Sequence, residues 1–307
     1  MMTHQPWTLA LVLILFPATA AAQGDARALG DSLRMAGDLA GAVEAYSEAH
    51  RSGEDAAYAL ASTFALHPQF ADSAFHYLDL ALDHEDSMGA LWDPDLHLLG
   101  DDERWAGVED RLLDRLAAQV TGDFDREYAR ALFRMRTNEW AYRYHIMLAF
   151  RQLGPDSPIL TALSTAMGEH HDENLIRLEA LIEERGWPEL SAVGEEAAYA
   201  AGNVVNHSDL ATRQRYLPVL EAVCERGECD WSRYAHILDR TELELGNAQV
   251  YGTQMVMDEA LGRYVPQPLV DPERVDERRA ARGMEPIADQ LRRFNESMAR
   301  DFGSADN

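Results

Sequence analysis

Apolar residues recur at helical spacing along most of the chain, and the polar breaks between them set the elements. From Ala26 to about His84 the pattern reads as two helical hairpins. In the first, Gly37-Asp38-Leu39-Ala40-Gly41-Ala42 leads into Ala45, Tyr46 and Ala49; in the second, Gln69-Phe70-Ala71-Asp72-Ser73-Ala74 leads into Tyr77, Leu78 and Ala81. Ala42 aligns with Ala74 and Ala49 with Ala81, so small residues fall where paired helices approach closely. Leu91-Trp92-Asp93-Pro94-Asp95-Leu96 and Asp102-Glu103-Arg104-Trp105 read as a degenerate closing hairpin. A long helix from Thr121 to Gln152 places Phe133, Trp140, Tyr144, Met147 and Phe150 on one broad face, which reads as core. Gly154-Pro155-Asp156-Ser157-Pro158 breaks it, and Ile159 to Met167 continues it or starts another. A further helix from Asp172 carries Leu175, Leu178 and Ile182 and stops at Gly186-Trp187-Pro188.

Helical segments follow at Glu195–Asn206, Asp209–Glu225 and Trp231–Leu245. After Gly246 the period changes: 249–257 and Arg263-Tyr264-Val265 read as a small β-hairpin, the residues between Pro266 and Pro272 as coil. A last helix begins near Glu273 or Arg274, Gly283-Met284-Glu285-Pro286 ends it, and a short amphipathic piece lies beyond. The expected fold is therefore mainly α: a helical-hairpin repeat unit followed by a helical domain with a small β-hairpin near the C-terminus. The expected divisions are a segment at 1–22, hairpins at 23–118, a C-terminal domain at 121–295 and a flexible tail at 296–307. A chain of 307 residues exceeds the usual size of one domain.

The first segment changes the picture by giving an address. Met1 to Ala22 holds an unbroken apolar stretch from Leu9 to Phe16, a Pro17 breaker, and small residues at Ala20 and Ala22 before Gln23. That is the layout of a cleavable signal peptide, although no Lys or Arg precedes the apolar run. The apolar run is about half the ~20 residues a spanning helix needs. The expectation is an exported protein, periplasmic or secreted, with no transmembrane helix after cleavage. The segment carries no Asp, Glu, Lys or Arg, so the whole formal charge of −26 falls on the rest of the chain. Such a surface repels nucleic acid and anionic lipid, and no nucleic-acid partner is expected. The two cysteines, Cys224 and Cys229, enclose Glu-Arg-Gly-Glu, and in an oxidising compartment a local disulfide is the expected use of them.

Two resemblances can be named on these residues. The hairpins of 26–84, with small residues repeating close to a ~34-residue period, resemble tetratricopeptide repeats; this implies a face that takes a protein or peptide partner. The ordered strings HDENLIRLEALIEERGWPELSAVG, VVNHSD, YAHILDRTELELGNAQVYGTQ and DPERVDERRAARGM resemble the bacterial domain of unknown function 6624, over about residues 125–292. That resemblance implies a fold neighbourhood and no reaction. One departure lies upstream: the family shows an Asp-Gln pair shortly before an Arg, whereas here Thr137-Asn138-Glu139-Trp140 precedes Tyr142-Arg143.

Polar residues in costly places mark the candidate chemistry. His207 ends an apolar helix two positions before Asp209. Asp239 and Arg240 sit among Ile237, Leu238 and Leu243, and buried charges of this kind are either paired for structure or part of a site. Tyr251, Thr253 and Gln254 cluster beside Gly252, whose missing side chain permits close approach. One assembly makes His207 a general base, Asp239 its orienting carboxylate, and Arg240, Tyr251, Thr253 and Gln254 the contacts of a small anionic ligand. The alternative makes Asp239–Arg240 a structural ion pair. Neither His170-His171-Asp172 nor His236 with Asp239 matches a metal-binding spacing, and no metal or cofactor is expected. Nucleophile-elbow, phosphate-loop and dinucleotide signatures do not occur. The functional expectation is a protein-interaction or ligand-binding module of the cell envelope; the alternative is a hydrolase or transferase using His207, Asp239, Arg240 and Gln254.

Overall fold

A computed structural model describes residues 26–302. The expected signal segment, and residues 303–307 of the expected tail, lie outside the described residues. The first compact unit ends at Ala56 and contains α1 (Ala26–Met35) and α2 (Leu39–Ser52). Asp38 starts α2 by accepting from the Gly41 amide at 2.9 Å, and Gly53 ends it in the left-handed conformation with φ 90°. The two helices approach closely because Gly30 has no side chain where the Tyr46 ring lies. Ala42, Ala45, Tyr46 and Ala49 are buried as their spacing predicts.

The second unit begins at Ala57. It opens with the hairpin of α3 (Ala57–Ala65) and α4 (Ala71–Ala81), where Ala74 and Ala81 are buried and Phe64 stacks on Tyr77 with ring centroids 5.8 Å apart. Two short 3-10 turns lead to α5 (Trp105–Ala117), α6 (Arg126–Leu153), α7 (Pro158–Arg185), the single turn α8 (Leu190–Val193), α9 (Glu195–His207), α10 (Leu210–Glu225) and α11 (Trp231–Glu244). The expected boundary near 118–121 falls inside this unit. Leu112, Leu113 and Leu116 of α5 share one continuous core with Leu132 and Phe133 of α6 and Val204 and Val205 of α9, so no water-filled seam separates them.

Several elements differ from expectation. The α7 helix runs unbroken, because 168–171 contains no proline and Pro158 sits in the first turn, where its missing N–H costs nothing. On α6 only Phe133 of the aromatic face is core: Trp140 is 50% exposed and Phe150 43%. The carboxyl half of α6 and the amino half of α7 extend past the core, and every α6 residue after Ala141 is at least partly exposed. The antiparallel hairpin is shorter than expected, β1 (Met255–Asp258) pairing with β2 (Arg263–Pro266) in the register Met255 to Pro266. Residues 249–254 form a loop. After α12 (Val275–Ala280), the last helix, α13 (Ile287–Phe302), runs through the start of the expected tail at 296. It is fixed to β2 by Asn295, whose side chain bonds both the N–H and the C=O of Tyr264 at 2.8 and 3.0 Å. No helix among the described residues is long and apolar enough to cross a membrane. Cys224 and Cys229 lie at disulfide distance, their Cα atoms 4.5 Å apart, in the turn that joins α10 to α11.

Candidate functional site

Three helices turn polar stripes toward one cavity of about 530 Å³. From α6 come Arg136, Glu139, Trp140 and Arg143, at the three- and four-residue steps that put side chains on one helix face. From α9 come Tyr199, Asn203, Asn206 and His207 by the same rule, and from α11 come Arg233 and His236; Trp92 closes one wall. The opposite face of α9 is Ala197, Ala200, Ala201, Val204 and Val205, all fully buried. These small residues hold α9 close to its neighbours, and that closeness fixes the stripes opposite one another.

Glu139 is the buried charge of the site, 6% exposed. Its Oε1 accepts from Asn174 Nδ2 at 3.3 Å and lies 2.9 Å from His171 Nδ1, both on α7. A carboxylate can only accept, so His171 donates through Nδ1. Oε2 lies 3.6 Å from His207 Nδ1 and 3.6 Å from the Arg143 guanidinium, which are ion-pair approaches and not hydrogen bonds. Burial alone would raise the Glu139 carboxyl; hydrogen bonding from His171, the nearby His207 and Asn174 outweigh it and hold the group well below the carboxylate range. His207 moves the other way from an ordinary imidazole. Burial lowers it, the charges of Arg143 and Arg240 lower it further, and Glu139 opposes them without reversing the shift. Burial, with Arg233 adding, pushes His236 down to about 4. At neutral pH the cavity therefore holds an ionised carboxylate beside two neutral imidazoles.

Guanidinium groups dominate the remaining wall. Arg136 stacks on Trp92 at 4.1 Å and on Tyr199 at 4.8 Å, and is paired with Glu196. Arg233 also lies over the Tyr199 ring at 4.0 Å and donates to Asn203 Oδ1 at 3.3 Å, with no carboxylate within ion-pair distance among the described residues. Behind His207, Arg240 likewise has no carboxylate at that distance; burial and the like charges of Arg213 and Arg143 lower its basicity, with Glu244 opposing.

Glu139, His171 and Ser208 trace the outline of a nucleophile triad, with Ser208 Oγ 3.4 Å from His171 Nε2. Ser208 is buried, however, donates to the Val204 carbonyl at 2.7 Å, and is not part of the cavity wall. No Ser, Thr or Cys side chain lines the cavity among the described residues.

Of the residues the sequence singled out, His207 alone lines the cavity. Asp239, fully buried, is not its partner. Its carboxylate accepts from the backbone N–H of Val250, Tyr251 and Thr253 at 2.7, 2.9 and 2.9 Å and from Thr253 Oγ1 at 2.9 Å. Four donors from one loop make it a clasp for 249–254. Arg240 does not pair with it, because consecutive residues leave a helix about 100° apart. Tyr251 and Thr253 are buried in the clasped loop, and Gln254 donates to the His236 carbonyl at 3.4 Å and to Thr253 Oγ1 at 3.1 Å. Gly252, with φ 77°, admits the Ile287 side chain of α13 and no ligand. No group of three or more His, Cys, Asp or Glu residues that could hold a metal occurs among the described residues.

Sequence reasoning missed Glu139, Arg143, Arg136 and Arg233 as site residues, and weighed His236 only as a metal ligand with Asp239. The signal was present in α6, where Arg136, Glu139 and Arg143 share a stripe and Trp140 adjoins it. The profile of the family of unknown function DUF6624 matches residues 127–301, and the chain belongs to that family. The match contains every cavity residue except Trp92. No curated protein and no solved structure matches the chain.

Proposed function

We propose that this member of the family is a binding protein for a small anionic ligand, held in the cavity between α6, α9 and α11. One observation carries the reading: Arg136, Arg143 and Arg233 converge on a single cavity in a chain whose net charge is −26. Basic side chains gathered at one point of so acidic a protein create a local positive potential that a small anion satisfies, and guanidinium forks suit carboxylate and phosphate groups. The apolar run of Leu9–Phe16 and the small residues at Ala20 and Ala22 support an exported location, periplasmic or secreted. The amino-terminal hairpins, as tetratricopeptide-like repeats, are proposed to take a protein or peptide partner.

The test is calorimetric titration with inorganic phosphate, citrate and simple carboxylates at constant ionic strength, on the native protein and Arg143→Gln. Arg143 is partly exposed and its ion pair with Glu139 is long, so its loss leaves the fold intact. At least one of these anions binds the native protein, and the variant binds it about tenfold more weakly, the loss of one charge-assisted hydrogen bond. If no anion binds, or Arg143→Gln changes nothing, the reading is wrong.

A second reading has its own observation. His207, neutral and with Nδ1 turned toward Glu139 Oε2 at the cavity wall, is suited to accept a proton from a bound substrate. The hydrolase or transferase alternative therefore runs through His207 and Glu139. Esters of each acid that binds would be incubated with the protein and followed by NMR; turnover that persists in His207→Ala removes His207 from the chemistry.

A further inference from the structure

Four buried polar atoms around the cavity have no hydrogen-bond partner: Glu139 Oε2, Asn206 Oδ1, His207 Nδ1 and Arg233 Nε. Only two other such atoms occur among the described residues, on Arg27 and Arg213, so the shortfall gathers at this one site. Buried polar groups are ordinarily satisfied, and where they are left open together they record the shape of something that pairs with them. Their chemistry is mixed. Arg233 Nε is a donor and calls for an acceptor. Glu139 Oε2 and Asn206 Oδ1 are acceptors and call for donors.

A bare anion offers acceptors alone. It would satisfy Arg233 and Arg143, yet it would set its own lone pairs against Glu139, whose carboxylate is kept ionised by His171 and Asn174. Repulsion at that point is avoided when the ligand carries N–H or O–H groups on the side away from its charge. Trp140, half exposed on the cavity wall, offers a flat apolar face to the carbon skeleton between the two ends.

We infer that the ligand is an organic acid bearing its own hydroxyl or ammonium donors, its anionic group toward Arg143 and Arg233 and its donors toward Glu139 and Asn206. This rests on the anion-binding reading and narrows it to donor-bearing acids, excluding inorganic phosphate and simple carboxylates as the best ligands. His207 Nδ1 faces Glu139 Oε2 at 3.6 Å and belongs to the Glu139 end.

The experiment compares three acids of one ring size by isothermal titration of the full chain: cyclohexanecarboxylate, its polyhydroxylated counterpart quinate, and trans-4-aminocyclohexanecarboxylate. Inorganic phosphate serves as the bare anion. Quinate or the amino acid binds at least about tenfold more tightly than cyclohexanecarboxylate, and which of them does so separates hydroxyl from ammonium donors. In Glu139→Gln that ratio falls toward one. Asn206→Ala, which leaves the buried carboxylate untouched, lowers the ratio too and serves where the Glu139 variant folds poorly. Equal affinity for all three acids, with Arg143→Gln weakening each, overturns the donor requirement and leaves the anion site standing. Failure of phosphate and of all three acids to bind overturns the anion site and this inference with it.

Discussion

Replacing Asp239 by Asn should unfold the carboxyl-terminal loop without touching the cavity. The carboxylate is fully buried and accepts four hydrogen bonds, three of them from backbone N–H groups of residues 250–253. Asparagine keeps one acceptor oxygen and presents an NH2 where the other oxygen was. With the NH2 at the Oδ1 position the Val250 and Tyr251 N–H groups face another donor; with it at Oδ2 the Thr253 N–H does, while the Thr253 hydroxyl can turn to accept, so at least one backbone donor loses its acceptor. Hydrogen bonds to a charged group contribute about 1.5–3 kcal/mol each, so the loss in the better orientation is roughly 1.5–3 kcal/mol. For a unit of this size each kcal/mol moves the melting temperature by about 2–4 °C, which gives a fall on the order of 3–12 °C. Thermal unfolding followed by circular dichroism measures this directly, with urea titration checking that the cooperativity is kept. A variant within about 1 kcal/mol of the native protein would refute the clasp, since a catalytic carboxylate can be neutralised with little loss of stability.

Two further outcomes follow from the same coordinates. His236, held down to about 4 by burial with Arg233, Arg279 and His207 adding and Asp230 opposing, is neutral in the folded protein and takes up a proton near pH 6.5 when unfolded. Its contribution is therefore complete above about pH 6.5 and is lost as pH falls toward 4, by roughly 3 kcal/mol; His236→Gln should flatten that part of a stability–pH curve, and an unchanged slope would contradict the burial. If Cys224 and Cys229 are bridged, the oxidised protein shows no free thiol under denaturant, and reduction costs about 2 kcal/mol for so short a loop; two titratable thiols in the untreated protein would exclude the bridge.

Periodicity made the helices legible and tertiary context decided the rest. Helical spacing located α9, α10 and α11 to within a few residues, because each has its polar break at a cap such as Asp209 or Asp230. The same spacing misled at Trp140 and Phe150, which keep the apolar period after α6 has left the core. Period reports that a face is apolar; it does not report that anything covers the face. Loop 249–254 read as strand from its β-branched and aromatic residues, but the side chains of Asp239 and Gln249 supply partners for its backbone. His207 was found because an imidazole at the end of an apolar helix is conspicuous. Glu139 was passed over because its two partners, His171 and His207, lie 32 and 68 residues away in sequence, and no local pattern announces a pairing of that range.

Two of the buried carboxylates, Asp239 and Glu139, show how structure and site can be told apart. Both Asp239 and Glu139 are withdrawn from water inside helices, and the sequence pointed to Asp239. Asp239 has every acceptor occupied, and all its donors come from one loop whose conformation it dictates. Glu139 has one oxygen occupied, by His171 and Asn174, and the other turned to a cavity where guanidinium and imidazole groups stand near without bonding it. A carboxylate that were only structural would have its second oxygen met as the first is, since leaving it open costs about 1–3 kcal/mol or more. Natural folds keep such costs chiefly where a ligand removes them. The bond that Glu139 Oε2 lacks within the chain is thus the strongest physical reason to place a ligand beside it, and Asp239, being complete, has nothing left to offer one.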